Sequence, residues 1–139
     1  LMGESGMIYG IGHDLLEIGR VVKVLDGRQK ERFMQRVLTP AELEIAEKRG
    51  ARLAEFVSGR FAAKEAIVKA LGCGIGHQVG FEDIEIVPDH LGKPVVKLSD
   101  GAWQRLDLPG QKEYTVHLSI THQPGMASAF AVVERTTSG

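Results

Sequence analysis

Arg52 to Leu71 reads RLAEFVSGRFAAKEAIVKAL, a stretch without proline whose only glycine is Gly59. Leu53, Phe56, Val57, Phe61, Ile67, Val68 and Leu71 recur in it at helical spacing. Gly72 follows as a C-terminal stop. The stretch predicts one long central helix. Downstream the period changes to two. Ile84-Glu85-Ile86-Val87 and Pro94-Val95-Val96-Lys97-Leu98 flank Asp89-His90-Leu91-Gly92-Lys93, which predicts a hairpin. Tyr114, Val116, Leu118 and Ile120 alternate with Thr115, His117 and Ser119. A turn at Gln123-Pro124-Gly125 leads into a more continuously apolar strand, Met126 to Glu134. Helix followed by alternating strands predicts an α+β domain, with an antiparallel sheet packed against a long central helix and shorter helices.

Upstream, Met7 to Gly12 predicts a strand ending in a flexible turn, with Asp14 just beyond it. Arg20 to Leu25 reads as a short helix stopped by Asp26-Gly27, and Gln29 to Leu38 as a second. In Thr39-Pro40-Ala41-Glu42, Thr39 can cap, Pro40 suits the first helical position and Glu42 can close a capping box. A helix from Pro40 to about Lys48 follows. Ser99 to Leu106 suits a short helix, and the polar tail from Arg135 is expected to fray. Leu1 to Gly6 lacks the basic and apolar regions of a signal peptide and reads as an added leader, with Met7 as the native start. Residues 7–135 are expected to form a single domain.

The chain has 139 residues, 43% hydrophobic and 25% charged, with a formal net charge of -1. That size suits one domain with a real core. The near-neutral balance gives no global field toward nucleic acid or membrane. The one cysteine, Cys73, rules out an internal disulfide and a cysteine-based metal site, and fits a reducing cytoplasm.

Glu65 and Lys69 lie four apart on the central helix and share a face with Phe61; Arg60 and Lys64 make a second such pair. A carboxylate among cations is the mixture that a Mg²⁺–diphosphate site needs, and it equally suits a solvated, salt-bridged helix face. Asp14, at a strand end, suits either a ligand or a helix cap. His117 and His122 are five apart and would face opposite sides of a strand, so they do not form a metal cluster. Arg28, Arg32 and Arg36 recur every four residues, a basic stripe that suits an acidic protein partner or a solvated face. Gly72-Cys73-Gly74-Ile75-Gly76 follows a helix rather than a strand, so it is not a dinucleotide fingerprint.

Three stretches, in order, carry a resemblance. Gly10-Ile11-Gly12-His13-Asp14-Leu15-Leu16-Glu17-Ile18-Gly19-Arg20 is similar to the N-terminal signature of holo-acyl-carrier-protein synthases. Gly59-Arg60-Phe61-Ala62-Ala63-Lys64-Glu65-Ala66 through Lys69-Ala70-Leu71-Gly72 resembles their second signature, and Leu118-Ser119-Ile120-Thr121-His122 their third. The resemblance covers the chain from Met7. It implies transfer of 4′-phosphopantetheine from coenzyme A to a serine of an apo-acyl carrier protein, a step that supports fatty acid biosynthesis. It implies Asp14 and Glu65 as Mg²⁺ ligands and Arg60, Lys69, Gly72 and His122 as coenzyme A contacts. Arg20, Arg28 and Arg32 are implied to dock the carrier, and a homotrimer is implied, with sites shared between subunits. Candidates for the base that takes the serine proton are Glu65, a metal-bound water and Asp14, and Lys64 is a candidate for assisting proton movement. His13 and Gln123 depart from the family pattern. The competing readings are a transferase with broader carrier range, and a non-catalytic module that binds coenzyme A or an acidic protein. The second needs the arginine stripe but neither carboxylate.

Overall fold

The computed structural model describes residues 4–109 and 113–138. In chain order these form β1 (Glu4–Glu17), α1 (Ile18–Leu25), α2 (Lys30–Val37), α3 (Pro40–Ala46), a 3-10 turn (Gly50–Arg52) and α4 (Leu53–Leu71). A second 3-10 turn (Phe81–Asp83) leads into β2 (Ile84–Pro88), β3 (Pro94–Leu98), α5 (Asp100–Leu106), β4 (Tyr114–Gln123) and β5 (Met126–Ser138). The antiparallel order β1-β5-β4 makes one sheet, and β2-β3 is a separate antiparallel hairpin.

α4 is apolar around most of its circumference, so it must be covered on several sides. Ala62, Ala63, Ala66 and Ala70 belong to a core shared with Ala129, Ala131 and Val133 of β5. Small side chains on both partners let helix and sheet approach closely. Phe56 and Val57 pack instead with Val21 of α1 and Met34 and Val37 of α2. The central helix thus separates two cores, sheet on one side and short helices on the other.

The local signals act as their chemistry requires. Thr39 Oγ1 accepts from the Glu42 amide at 3.3 Å, and Glu42 Oε1 accepts from the Thr39 amide at 2.8 Å, closing the capping box. Ser99 caps α5 by accepting from the Ala102 amide. Gly72 ends α4 in the left-handed conformation at φ 85°, where a side chain would be strained. His117 and His122 do face opposite sides: His117 pairs with Glu134, and His122 turns toward α4.

Three expectations change. β1 does not end at Gly12 but continues to Glu17, so Asp14 is a strand residue rather than an end residue. Glu4 to Gly6 pair with Thr136 to Ser138. Neither stretch therefore stands apart from the sheet, because each supplies the other's backbone partners. Arg28 precedes α2, so only Arg32 and Arg36 share that helix; Arg36 lies over the Phe81 ring, 5.7 Å from its centroid. Among the described residues, no helix is long and apolar enough to cross a membrane.

Candidate active site

The first half of the site begins with two glycines. A Cβ at Gly10 would lie 1.9 Å from the Ala70 carbonyl oxygen, and one at Gly12 would lie 1.8 Å from that of Ala66. Only glycine allows β1 to rest directly on the α4 backbone there. Asp14, two residues further on the same face of the strand, is thereby carried to α4. Lys69 Nζ donates to Asp14 Oδ1 at 3.0 Å and to the His13 carbonyl at 3.1 Å. Glu65 lies one helical turn before Lys69. Burial raises its carboxyl above the usual glutamate range, the Asp14 charge pushes the same way, and Lys69 opposes them. Two carboxylates from distant parts of the chain thus share one electrostatic environment.

No group of three or more metal-ligating side chains occurs among the described residues. Two hard oxygen ligands beside a cation fit Mg²⁺, which keeps waters and substrate phosphates in its shell, better than a metal that needs an all-protein cage.

The second half is a cavity of about 340 Å³ whose lining includes Arg49, Arg52, Glu55, Phe56, Arg60 and His122. The Arg60 guanidinium lies 4.5 Å from the Phe56 ring centroid and donates through Nε to the Ile86 carbonyl at 3.1 Å. Arg49 approaches the same ring at 4.9 Å. Burial lowers the Arg60 pKa; Glu42 counters that, and Arg49 adds to it. His122 Nε2 donates to the Glu55 carbonyl at 3.1 Å. A Cβ on Gly59 would sit 2.8 Å from that nitrogen, so Gly59 clears the space His122 occupies. The cavity gathers three guanidiniums and a histidine against one carboxylate, which suits an anion.

The two halves lie on different sides of α4. Arg60 and Glu65 are five residues apart, about 140° around a helix axis. The cavity lining contains neither Asp14, Glu65 nor Lys69. One chain therefore brings Asp14, Glu65 and Lys69 together, and separately Arg60 and His122, but does not join the groups. Gly72 ends α4 just beyond Lys69. Arg20, Arg28 and Arg32 are exposed on α1, before α2 and on α2. Sequence reasoning missed Arg49, Arg52, Glu55 and Phe56, because Phe56 counted only as a helix-face apolar residue and the arginines lie in no motif.

Lys64 corrects the expectation most sharply. It is neither a surface charge nor free to assist proton movement, because it is fully enclosed. Its Nζ donates to Glu42 Oε1 at 2.7 Å, to the Val37 carbonyl at 2.7 Å and to the Phe81 carbonyl at 3.1 Å. Glu42 Oε2 also accepts from the Ile86 amide at 2.8 Å. Burial lowers the Lys64 pKa while the Glu42 carboxylate holds it up. With all three ammonium hydrogens engaged, the pair ties α2, α3, α4, the second 3-10 turn and β2 together.

Known proteins resemble the chain over nearly its whole length. A holo-[acyl-carrier-protein] synthase of Bacillus cereus strain G9842 is 48% identical over 132 residues, covering 94% of this chain and 99% of that protein. The crystal structure of a holo-(acyl-carrier-protein) synthase from Bacillus anthracis strain Ames, in complex with CoA (3′,5′-ADP), superposes with a TM-score of 0.77 at 45% identity, covering 93% of this chain and 98% of that one. The synthase from Neisseria meningitidis superposes with a TM-score of 0.81 at 35% identity, covering 91% and 98%. The profile of the 4′-phosphopantetheinyl transferase superfamily matches residues 10–129, and the chain belongs to that superfamily.

Proposed function

We propose that this chain is a holo-[acyl-carrier-protein] synthase. It transfers 4′-phosphopantetheine from coenzyme A to a serine of apo-acyl carrier protein and releases adenosine 3′,5′-bisphosphate, a step that serves fatty acid biosynthesis. The observation that carries the reading is the meeting of Asp14, Glu65 and Lys69 across β1 and α4 in a chain related over nearly its whole length to holo-[acyl-carrier-protein] synthases.

The serine oxygen forms a bond to the phosphorus that carries pantetheine, and the bond from that phosphorus to the bridging diphosphate oxygen breaks. Mg²⁺ held by Asp14 and Glu65 would supply Lewis-acid stabilisation of the charge that develops on the diphosphate. Lys69 presents its ammonium to the same oxygens. Arg60 and His122 hold phosphate of the donor in the cationic cavity, and the loop opened by Gly72 lets its backbone approach the coenzyme. Asp14 and Glu65 are the carboxylates that would take the serine proton.

The functional unit is a homotrimer in the cytoplasm, with each site shared between neighbours. α4 covers one face of the β1-β5-β4 sheet. The other face leaves Ile11, Leu15 and Phe130 about half exposed, at 55%, 58% and 46%. These side chains, set among His13, Ser119 and Ser128, give the face exposed apolar surface that favours association. Sharing would also unite the two site halves that α4 separates within one chain. Arg20, Arg28 and Arg32 form the basic surface that docks the acidic carrier.

Intact-mass analysis of an apo-acyl carrier protein incubated with the chain, coenzyme A and Mg²⁺ tests the reaction. One added phosphopantetheinyl group, lost in EDTA, is expected. Coenzyme A binding without any transfer would favour the non-catalytic module instead.

A further inference from the structure

We propose that Lys69 competes with the metal ion for Asp14, so that metal binding releases the lysine and its donors pass to the coenzyme diphosphate. This competition presupposes the transferase reading of the Asp14–Glu65 pair. Lys69 Nζ engages Asp14 Oδ1 at 3.0 Å and the neighbouring His13 carbonyl at 3.1 Å. A divalent ion on the same carboxylate would sit beside an ammonium aimed at the same oxygen, and like charges so placed repel. The two partners differ in freedom. The Lys69 side chain is 52% exposed, whereas that of Asp14 is 19% exposed on a paired strand. The lysine is therefore the group that moves. Its ion pair is half open to solvent and correspondingly weak, so exchange is inexpensive.

Lys64, one turn and a fraction earlier on α4, shows the contrast. Its three donors are enclosed and fixed, and it cannot exchange. Lys69 lies instead at the last turn of α4, beside Gly72, where a diphosphate oxygen can replace each of its two acceptors. A lysine that leaves Asp14 for phosphate makes metal and coenzyme bind with positive coupling, and the coupling is reciprocal by linkage.

Titration of the full chain with Mn²⁺, followed through the electron paramagnetic resonance of the free ion with and without coenzyme A, tests this without reading turnover. Lys69→Met should tighten Mn²⁺ binding in the absence of coenzyme A by up to about fivefold, the range expected for removing a half-exposed ion-pair partner. The same variant should reduce the factor by which coenzyme A tightens Mn²⁺ binding. Lys69→Arg, which keeps a cation on Asp14, should stay near the native affinity. Unchanged or weaker Mn²⁺ binding by Lys69→Met overturns the competition. Asp14→Asn separates the two levels: native Mn²⁺ affinity in that variant would overturn the ligand assignment itself, and the competition with it.

Discussion

Lys64 and Glu42 show what a charged residue in a signature motif can be for. Each is fully enclosed, and together they satisfy four backbone groups, the Val37 and Phe81 carbonyls and the Thr39 and Ile86 amides. Such a pair is poor evidence of net stabilisation, but breaking it is costly because one buried charge loses its partner. Lys64→Ala should therefore destabilise the fold by about 3–5 kcal/mol, read from the shift in urea unfolding midpoint. Adding Glu42→Leu should recover part of that loss, since no uncompensated carboxylate then stays inside. A simple surface lysine would change stability by no more than about 0.5 kcal/mol on substitution. In the sequence Lys64 sits four residues from Arg60 and reads as a helix-face charge. Its partner is 22 residues away, on α3, and only packing reveals it.

At the level of elements, the helix–strand order was legible because it depends on local periodicity, caps and turn residues. The Thr39–Glu42 box, the Gly72 stop and the alternation in β4 are all short-range signals. The length of β1 was not legible, because Gly10 and Gly12 look locally like chain breakers. Their reason is non-local: they are where β1 touches the backbone of α4. The same contact delivers Asp14 to Glu65 and Lys69, so this pair of elements builds the half of the site proposed to hold Mg²⁺. Gly12→Ala places a methyl group where the Ala66 carbonyl oxygen already lies, and β1 must lift from α4. A loss of about 1–3 kcal/mol is expected from such overpacking. It should come with weaker Mg²⁺-dependent transfer, because Asp14 moves with the strand. Gly19→Ala is the control, since nothing lies within 4 Å of the Cβ it would add. It should keep native transfer activity and unfold no earlier than the parent.

For the whole molecule, α4 imposes a division that no single chain resolves. It presents Glu65 and Lys69 toward β1 and Arg60 toward β2, and the lining of the cationic cavity contains none of Asp14, Glu65 and Lys69. Sequence motifs place all these residues on one helix but cannot say that they look in different directions toward different partners. In the proposed trimer, the outer face of the sheet would join them by bringing one copy's Asp14 and Glu65 to a neighbour's Arg60 and His122. Subunit complementation decides whether it does so. Asp14→Ala and Arg60→Ala should each be nearly inactive alone in the intact-mass assay. After the two are unfolded together at equal amounts and refolded, random assembly leaves about one quarter of shared sites with both native residues, so activity should return to about that fraction of the parent. If each site belonged to one chain, every site in the mixture would still lack one residue and the mixture would stay as inactive as its components. Replacing Phe130 with glutamate in both chains should abolish the recovery, because it places a charge in the apolar face through which the copies meet.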